Sequence, residues 1–166
     1  MHRLALAAFV AMTALSPACA ADGEANKAVY RNLMDQVWNR RDLSAIDRFL
    51  APDFIEHNKN IPAGAAGRKQ FVTAVLAAFS DYHAEVEEVV ADGDIVVARV
   101  QWTGTQDGPF QGRPPTNRKL RFWTADFFRV ADGKLAEHWD VVDSLPRAIA
   151  LGLVPEPGAA ATPNAR

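Results

Sequence analysis

Apolar side chains recur at every third or fourth position over 24–41, where Ala28, Tyr30, Leu33, Met34, Val37 and Trp38 form one stripe, and this spacing predicts a long first helix. Asp42 is placed to cap a second, shorter helix with Leu43, Ile46, Phe49 and Leu50 on one side. A short extended segment over 54–58 follows, and the Pro- and Gly-containing stretch 62–67 breaks it before a third helix carrying Phe71, Val72, Val75, Leu76 and Phe79. After Asp81 the apolar period falls to two. Strands are expected over 82–90, 95–105, 119–130 and 134–142, with Ala91-Asp92-Gly93 and Ala131-Asp132-Gly133 as two similar hairpin turns. The pattern describes an α+β chain: three N-terminal helices laid over a curved antiparallel sheet. A loop over 104–117, rich in Gly and Pro, is long enough to act as a lid.

Strand alternation sorts these residues onto faces. A three-residue turn ending in Gly133 sets Val130 opposite Lys134 and Asp126 opposite His138; a two-residue turn would shift every pair by one. Phe122, Thr124, Asp126 and Phe128 then share a face with Ala136, His138 and Asp140, while Trp123, Phe127 and Trp139 take the other. The same count around Gly93 pairs Tyr82 with Trp102 and Glu85 with Arg99. A face that mixes large apolar side chains with two carboxylates and an imidazole is not plain core, because unpaired buried charge is strongly unfavourable. It reads as a pocket wall. Trp102, Phe122, Thr124 and Phe128 are expected to line it, with Phe110 from the loop, Tyr30, Met34 and Trp38 from the first helix, and His57 and Asn58 from the short strand. A helical stripe of this kind is more often core than binding wall, and His57 reads equally as a half-exposed strand-end residue.

Composition narrows the choice of partners. The chain has 166 residues, suited to one domain, and a net charge of −2 with scattered basic residues, which gives no positive stripe for nucleic acid. Residues 1–20 combine Arg3, an apolar run over 4–15 and a small-residue end at Ala18-Cys19-Ala20, which predicts a secretory signal cleaved after Ala20 and a periplasmic or secreted product. The run is shorter than the roughly 20 residues of a permanent span. Retention of Cys19 as a lipid-anchored first residue is the alternative. Cys19 is the only cysteine, so cleavage leaves neither disulfide nor thiol chemistry. The domain is expected over 21–153, with a disordered tail over 154–166. No metal site is expected, because the histidines show no ligand spacing. Trp123, Phe127 and Trp139 make an aromatic outer face suited to a homodimer.

Three stretches carry a family resemblance: Gly104-Thr105-Gln106-Asp107-Gly108-Pro109-Phe110-Gln111-Gly112-Arg113-Pro114-Pro115-Thr116, Asp126-Phe127-Phe128-Arg129, and Asp132-Gly133-Lys134-Leu135-Ala136-Glu137-His138-Trp139-Asp140. Together with Phe54-Ile55-Glu56-His57-Asn58 they resemble the SnoaL-like polyketide cyclases over the whole mature domain. The resemblance implies a cone-shaped α+β barrel of the nuclear transport factor two type. It also implies ring closure by intramolecular aldol condensation with an aspartate as acid and base, matched here by Asp140, and no metal or organic cofactor. Gln106 stands where many relatives carry histidine, and Asn117 where glycine follows Pro-Pro-Thr.

The chemistry expected of the pocket is proton transfer next to a carbonyl of an apolar small molecule, by cyclisation or isomerisation, with Asp140 as acid and base, His138 assisting and Asp126 orienting His138. Asp126 and His138 would then titrate as a pair. A polar cluster that only fixes the hairpin, a non-catalytic binding module, and an epoxide or ester hydrolase use the same residues and remain open.

Overall fold

The computed structural model describes residues 17–155, 157 and 158, with side chains from residue 22. The apolar run 4–15 and most of the tail lie outside the described residues. Helix α1, Pro17–Leu33, passes through position 20 and widens into a π turn at Met34–Asn39, where Arg40 N–H reaches the Asp35 carbonyl at 2.8 Å. The single helix expected to 41 thus changes its winding after Leu33. In the widened turn Trp38 packs on Trp102 and Tyr82, and the Asn39 side chain bonds both the N–H and the C=O of Ala84 on the sheet. Among the described residues no helix is long and apolar enough to cross a membrane.

Asp42 accepts from the Ser44 N–H at 3.0 Å, as its capping role requires, and the second helix is a 3-10 turn at Leu43–Ala45 followed by α2, Ile46–Phe49. Strand β1 is Leu50–Glu56, and α3 is Gly64–Ala78. Gly67 lies against Pro62 so closely that a Cβ would stand 2.1 Å from the Pro62 carbonyl oxygen, which fixes the corner leading into α3. Four further strands follow: β2 His83–Asp92, β3 Ile95–Thr105, β4 Lys119–Ala131 and β5 Lys134–Val142, with α4 at Ser144–Ala150. They form one open curved sheet in the order β1-β5-β4-β3-β2, antiparallel except where β1 joins β5 in parallel.

Both hairpins turn through two residues, so the expected registers are corrected. Asp92 pairs with Ile95 and Ala131 with Lys134. Asp132 and Gly133 occupy the turn with φ of 50° and 71°, the left-handed pair that a tight hairpin demands. A one-residue shift alone would have sent His138 outward. A β-bulge at Ala136 cancels it: Val130 pairs with Leu135, Arg129 with Glu137, Phe128 with His138 and Asp126 with Asp140. Asp126, Phe128, His138 and Asp140 therefore keep one face as expected, Leu135 replaces Ala136 as the buried residue, and the direct Asp126 to His138 pairing is wrong. The two-residue turn sets Glu88 opposite Arg99, and a second bulge, at Glu87, then sets Ala84 opposite Trp102, in place of Glu85 to Arg99 and Tyr82 to Trp102. Arg99 instead meets Glu87 at 2.8 Å.

The loop between β3 and β4 is strapped down. Gln106, 1% exposed, donates to the carbonyls of Gly108 and Pro114 and accepts from the Thr116 hydroxyl at 2.8 Å. A Cβ on Gly108 would meet the Ala77 carbonyl at 2.4 Å. Asn117 has φ of 54°, a conformation that glycine adopts freely and asparagine tolerates better than most residues. The site therefore needs a residue of this kind after Pro-Pro-Thr.

Candidate active site

The concave face of the sheet, the π turn after α1, α3, α4 and the loop line a pocket that opens to solvent. Its wall is mostly apolar with a few convergent polar groups, the make-up of a small-molecule site. Alternation on β4 points Phe122, Thr124 and Asp126 inward, and β5 adds His138 and Asp140. Trp38, Trp102, Phe110, Phe122, Thr124 and Asn58 line the cavity as expected, with Trp102 Nε1 donating to the Thr124 hydroxyl at 2.9 Å.

Asp126 is 4% exposed and accepts from the Tyr30 hydroxyl through Oδ2 at 2.8 Å. Burial first, and then the Asp126 charge and this hydrogen bond, hold the Tyr30 phenol well above its ordinary value, so Tyr30 keeps its proton and acts as donor. Asp126 Oδ1 has no partner among the described residues and is not sealed off, so it opens to the cavity. Asp140 sits nearer the mouth, where Asn58 Nδ2 donates to both of its oxygens at 2.7 and 2.9 Å.

The partner of His138 is Glu56, not Asp126. His138 Nδ1 lies 2.7 Å from Glu56 Oε1, and Arg68 NH1 lies 3.1 Å from Glu56 Oε2; the side chains of His138, Glu56 and Arg68 are 1%, 0% and 8% exposed. Burial pushes the Glu56 carboxyl up. The hydrogen bond with His138, the Arg68 and His138 charges and the Asn58 N–H outweigh it and hold the group below the ordinary carboxylate range. An ionised carboxylate at this distance requires the proton on Nδ1, so the Arg68 nitrogen 3.2 Å from Nδ1 lies beside the ring without donating to it. In the neutral ring Nε2 is then bare. It is the buried side-chain polar atom that finds no partner among the described residues.

Four of the expected wall residues are placed elsewhere. Tyr30, Met34 and Phe128 are core, with Phe128 packed between Tyr30 and the His138 ring at 5.6 and 4.5 Å. His57 is on the outer face, stacked on Trp139 at 4.5 Å and bonded to Glu137 at 2.9 Å, because it follows the inward Glu56 on an alternating strand. Sequence reasoning does not reach Glu56 or Arg68. The available signal for Glu56 is Phe54, an apolar residue two positions away on the same face. Among the described residues no group of three or more such side chains is arranged to hold a metal ion.

The SnoaL-like polyketide cyclase family model matches residues 28–150. Nogalonic acid methyl ester cyclase of Streptomyces nogalater is 31% identical over 117 residues, which cover 66% of this chain and 85% of that protein. The solved structure of AclR from Streptomyces galilaeus, provisionally assigned as a hydroxylase, superposes with a TM-score of 0.72 at 32% identity, covering 81% of this chain and 85% of that one. A provisionally assigned SnoaL-like polyketide cyclase from Jannaschia sp. CCS1 superposes with a TM-score of 0.71 at 28% identity, covering 80% and 95%. With the matched region spanning all five strands and α3, the chain belongs to the SnoaL-like polyketide cyclase family.

Proposed function

We propose that this chain closes a ring by aldol-type addition within a small apolar carbonyl compound, with Asp126 as the acid and base. The observation that carries this reading is the Asp126 carboxylate in the cavity wall, one oxygen tied to Tyr30 and the other open. Asp126 takes a proton from the carbon next to a carbonyl. The resulting enolate carbon adds to a second carbonyl, and the electron pair of that C=O moves onto its oxygen, which takes the proton back. Nothing is lost or gained, so one group serves both steps. Tyr30 holds the carboxylate in place. His138 belongs to the cavity wall with its Nδ1 held by Glu56 beside Arg68, so Asp126 does not orient it. Asp140 and Asn58 form the polar edge of the mouth.

The test is turnover on carbonyl compounds that resemble the relative's nogalonic acid methyl ester, for wild type, Asp126→Asn and Asp140→Asn. Asp126→Asn is expected to lower kcat by at least about a hundredfold and Asp140→Asn by much less. The reverse order would return the acid and base role to Asp140. Oxygen from labelled water in the product would replace addition by hydrolysis. Export through residues 1–20 and dimer formation through the outer sheet face belong to the same proposal. The second rests on exposed Val141 beside Ile95, Phe127 and Trp139, which form a shallow apolar hollow.

A further inference from the structure

Arg147, on α4, lines the same cavity beside Phe122 and Leu151. Its guanidinium carbon lies 6.0 Å from the centroid of the Phe122 ring, a side chain 4% exposed on the inner face of β4. The charge therefore projects inward. Tyr82 reports the same from another wall: burial pushes its phenol far up, and Arg147 is foremost among the charges pulling it back. Arg147 is partly exposed, at the join of the cavity and its open mouth, and a guanidinium set over an apolar wall there favours an opposite charge.

Among the described residues Arg147 enters no ion pair. The acidic groups of the cavity are engaged elsewhere, Asp126 by Tyr30 and Asp140 by Asn58. Other arginines with a share of the interior are matched: Arg68 has Glu56 at 3.1 Å, and Arg41 donates to the carbonyls of Leu76 and Phe79 at the end of α3. The ring of Phe122 supplies only part of what a carboxylate would.

We propose that Arg147 is the anion-binding end of the cavity and takes the carboxylate of a flat, largely aromatic ligand whose body lies against Phe122, Trp102 and Phe110. This deepens the cyclisation reading, from which it borrows only that the cavity holds the substrate. It makes that substrate an acid rather than a neutral molecule. Asp126 and Phe122 are four residues apart on β4, about 13 Å of strand, so the anionic group and the reacting carbon occupy different ends of the ligand.

The test uses two dyes with the same rings, anilinonaphthalene sulfonate and uncharged N-phenylnaphthylamine, titrated by fluorescence into the full chain, Arg147→Met and Arg147→Lys. Met keeps the apolar stem of the side chain. Arg147→Met is expected to weaken the sulfonate by about tenfold or more and leave the neutral dye unchanged, with Lys restoring part of the loss. Repeating the titrations with Val141→Asp removes the outer apolar face as a competing dye site. An unchanged sulfonate affinity, an equal loss of both dyes, or no sulfonate binding at all would overturn the anion site. Neither dye needs turnover, so the two readings fail separately. Dye discrimination in a chain that cyclises nothing removes the cyclase reading alone, whereas an active chain indifferent to Arg147→Met removes the anion site alone.

Discussion

Glu56-His57 at the end of β1 and Glu137-His138 on β5 are the same dipeptide on neighbouring parallel segments, and each glutamate bonds the histidine of the other. Strand alternation sends the two bonds to opposite faces of the sheet. Glu56 to His138 spans 2.7 Å with both side chains sealed, at 0% and 1% exposed; His57 to Glu137 spans 2.9 Å with 36% and 22% exposed. The contacts are alike and their surroundings are not. Inside, Arg68 completes a three-member cluster that water cannot rescue if one member is lost. Outside, Arg129 and the Trp139 ring share the load and solvent stands by. Burial rather than contact distance decides what such a pair is worth.

The largest expected effect separates the two pairs directly. Glu56→Ala leaves Arg68 and His138 without their carboxylate and should cost about 3 to 5 kcal/mol in urea unfolding, whereas Glu137→Ala should scarcely move the midpoint. Equal midpoints would break the comparison.

Acid pH sharpens it next. The folded-state pKa of Glu56 is depressed, so its contribution to stability is complete above the ordinary glutamate value of 4.5 and is lost as pH falls through the lower folded value. Glu137 is also lowered, by its hydrogen bonds to His57 and Arg129, and shifts stability in the same direction. Molar salt should erase the Glu137 part and leave the Glu56 part, because sealed charges are poorly screened. Unfolding curves from about pH 6 to about pH 3, with Glu56→Gln as the reference lacking the inner titration, read this out. A Glu56→Gln curve as steep as the wild type would show that the inner pair does not govern the acid limb.

The smallest effect concerns assembly. Trp139→Glu places a charge where His57 stacks, and light scattering should show a dimer for the wild type and a monomer for the variant. A wild-type monomer at high concentration would leave the outer face without a partner.

Strands β2 to β5 are legible in the sequence because their apolar period is clean and Asp-Gly marks both hairpins, and α3 because its stripe is; β1 is not, since it begins at Leu50, which the pattern assigns to the second helix. The cluster behind His138 is not, for two reasons. The carboxylate that meets His138 is 82 residues away on a strand that pairs in parallel, and no turn announces such a pairing. Arg68 comes from α3, whose contact with β1 leaves no mark in the sequence. Asp126, His138 and Asp140 nevertheless share a face as expected, because two departures from expectation cancel. The turn is one residue shorter than the pattern predicts, and the bulge at Ala136, which nothing in the pattern signals, restores the count.

The bulge also bears on how this chain can change by descent. One residue, Ala136, sets the parity of everything downstream on β5. Losing it would turn His138 and Asp140 outward and bring Trp139 into the cavity, while the hairpin and its Asp-Gly turn could still form. Single-codon gains and losses between Gly133 and His138 therefore act as a frame for the pocket, and lineages that keep its chemistry must keep that count even where the residues themselves drift.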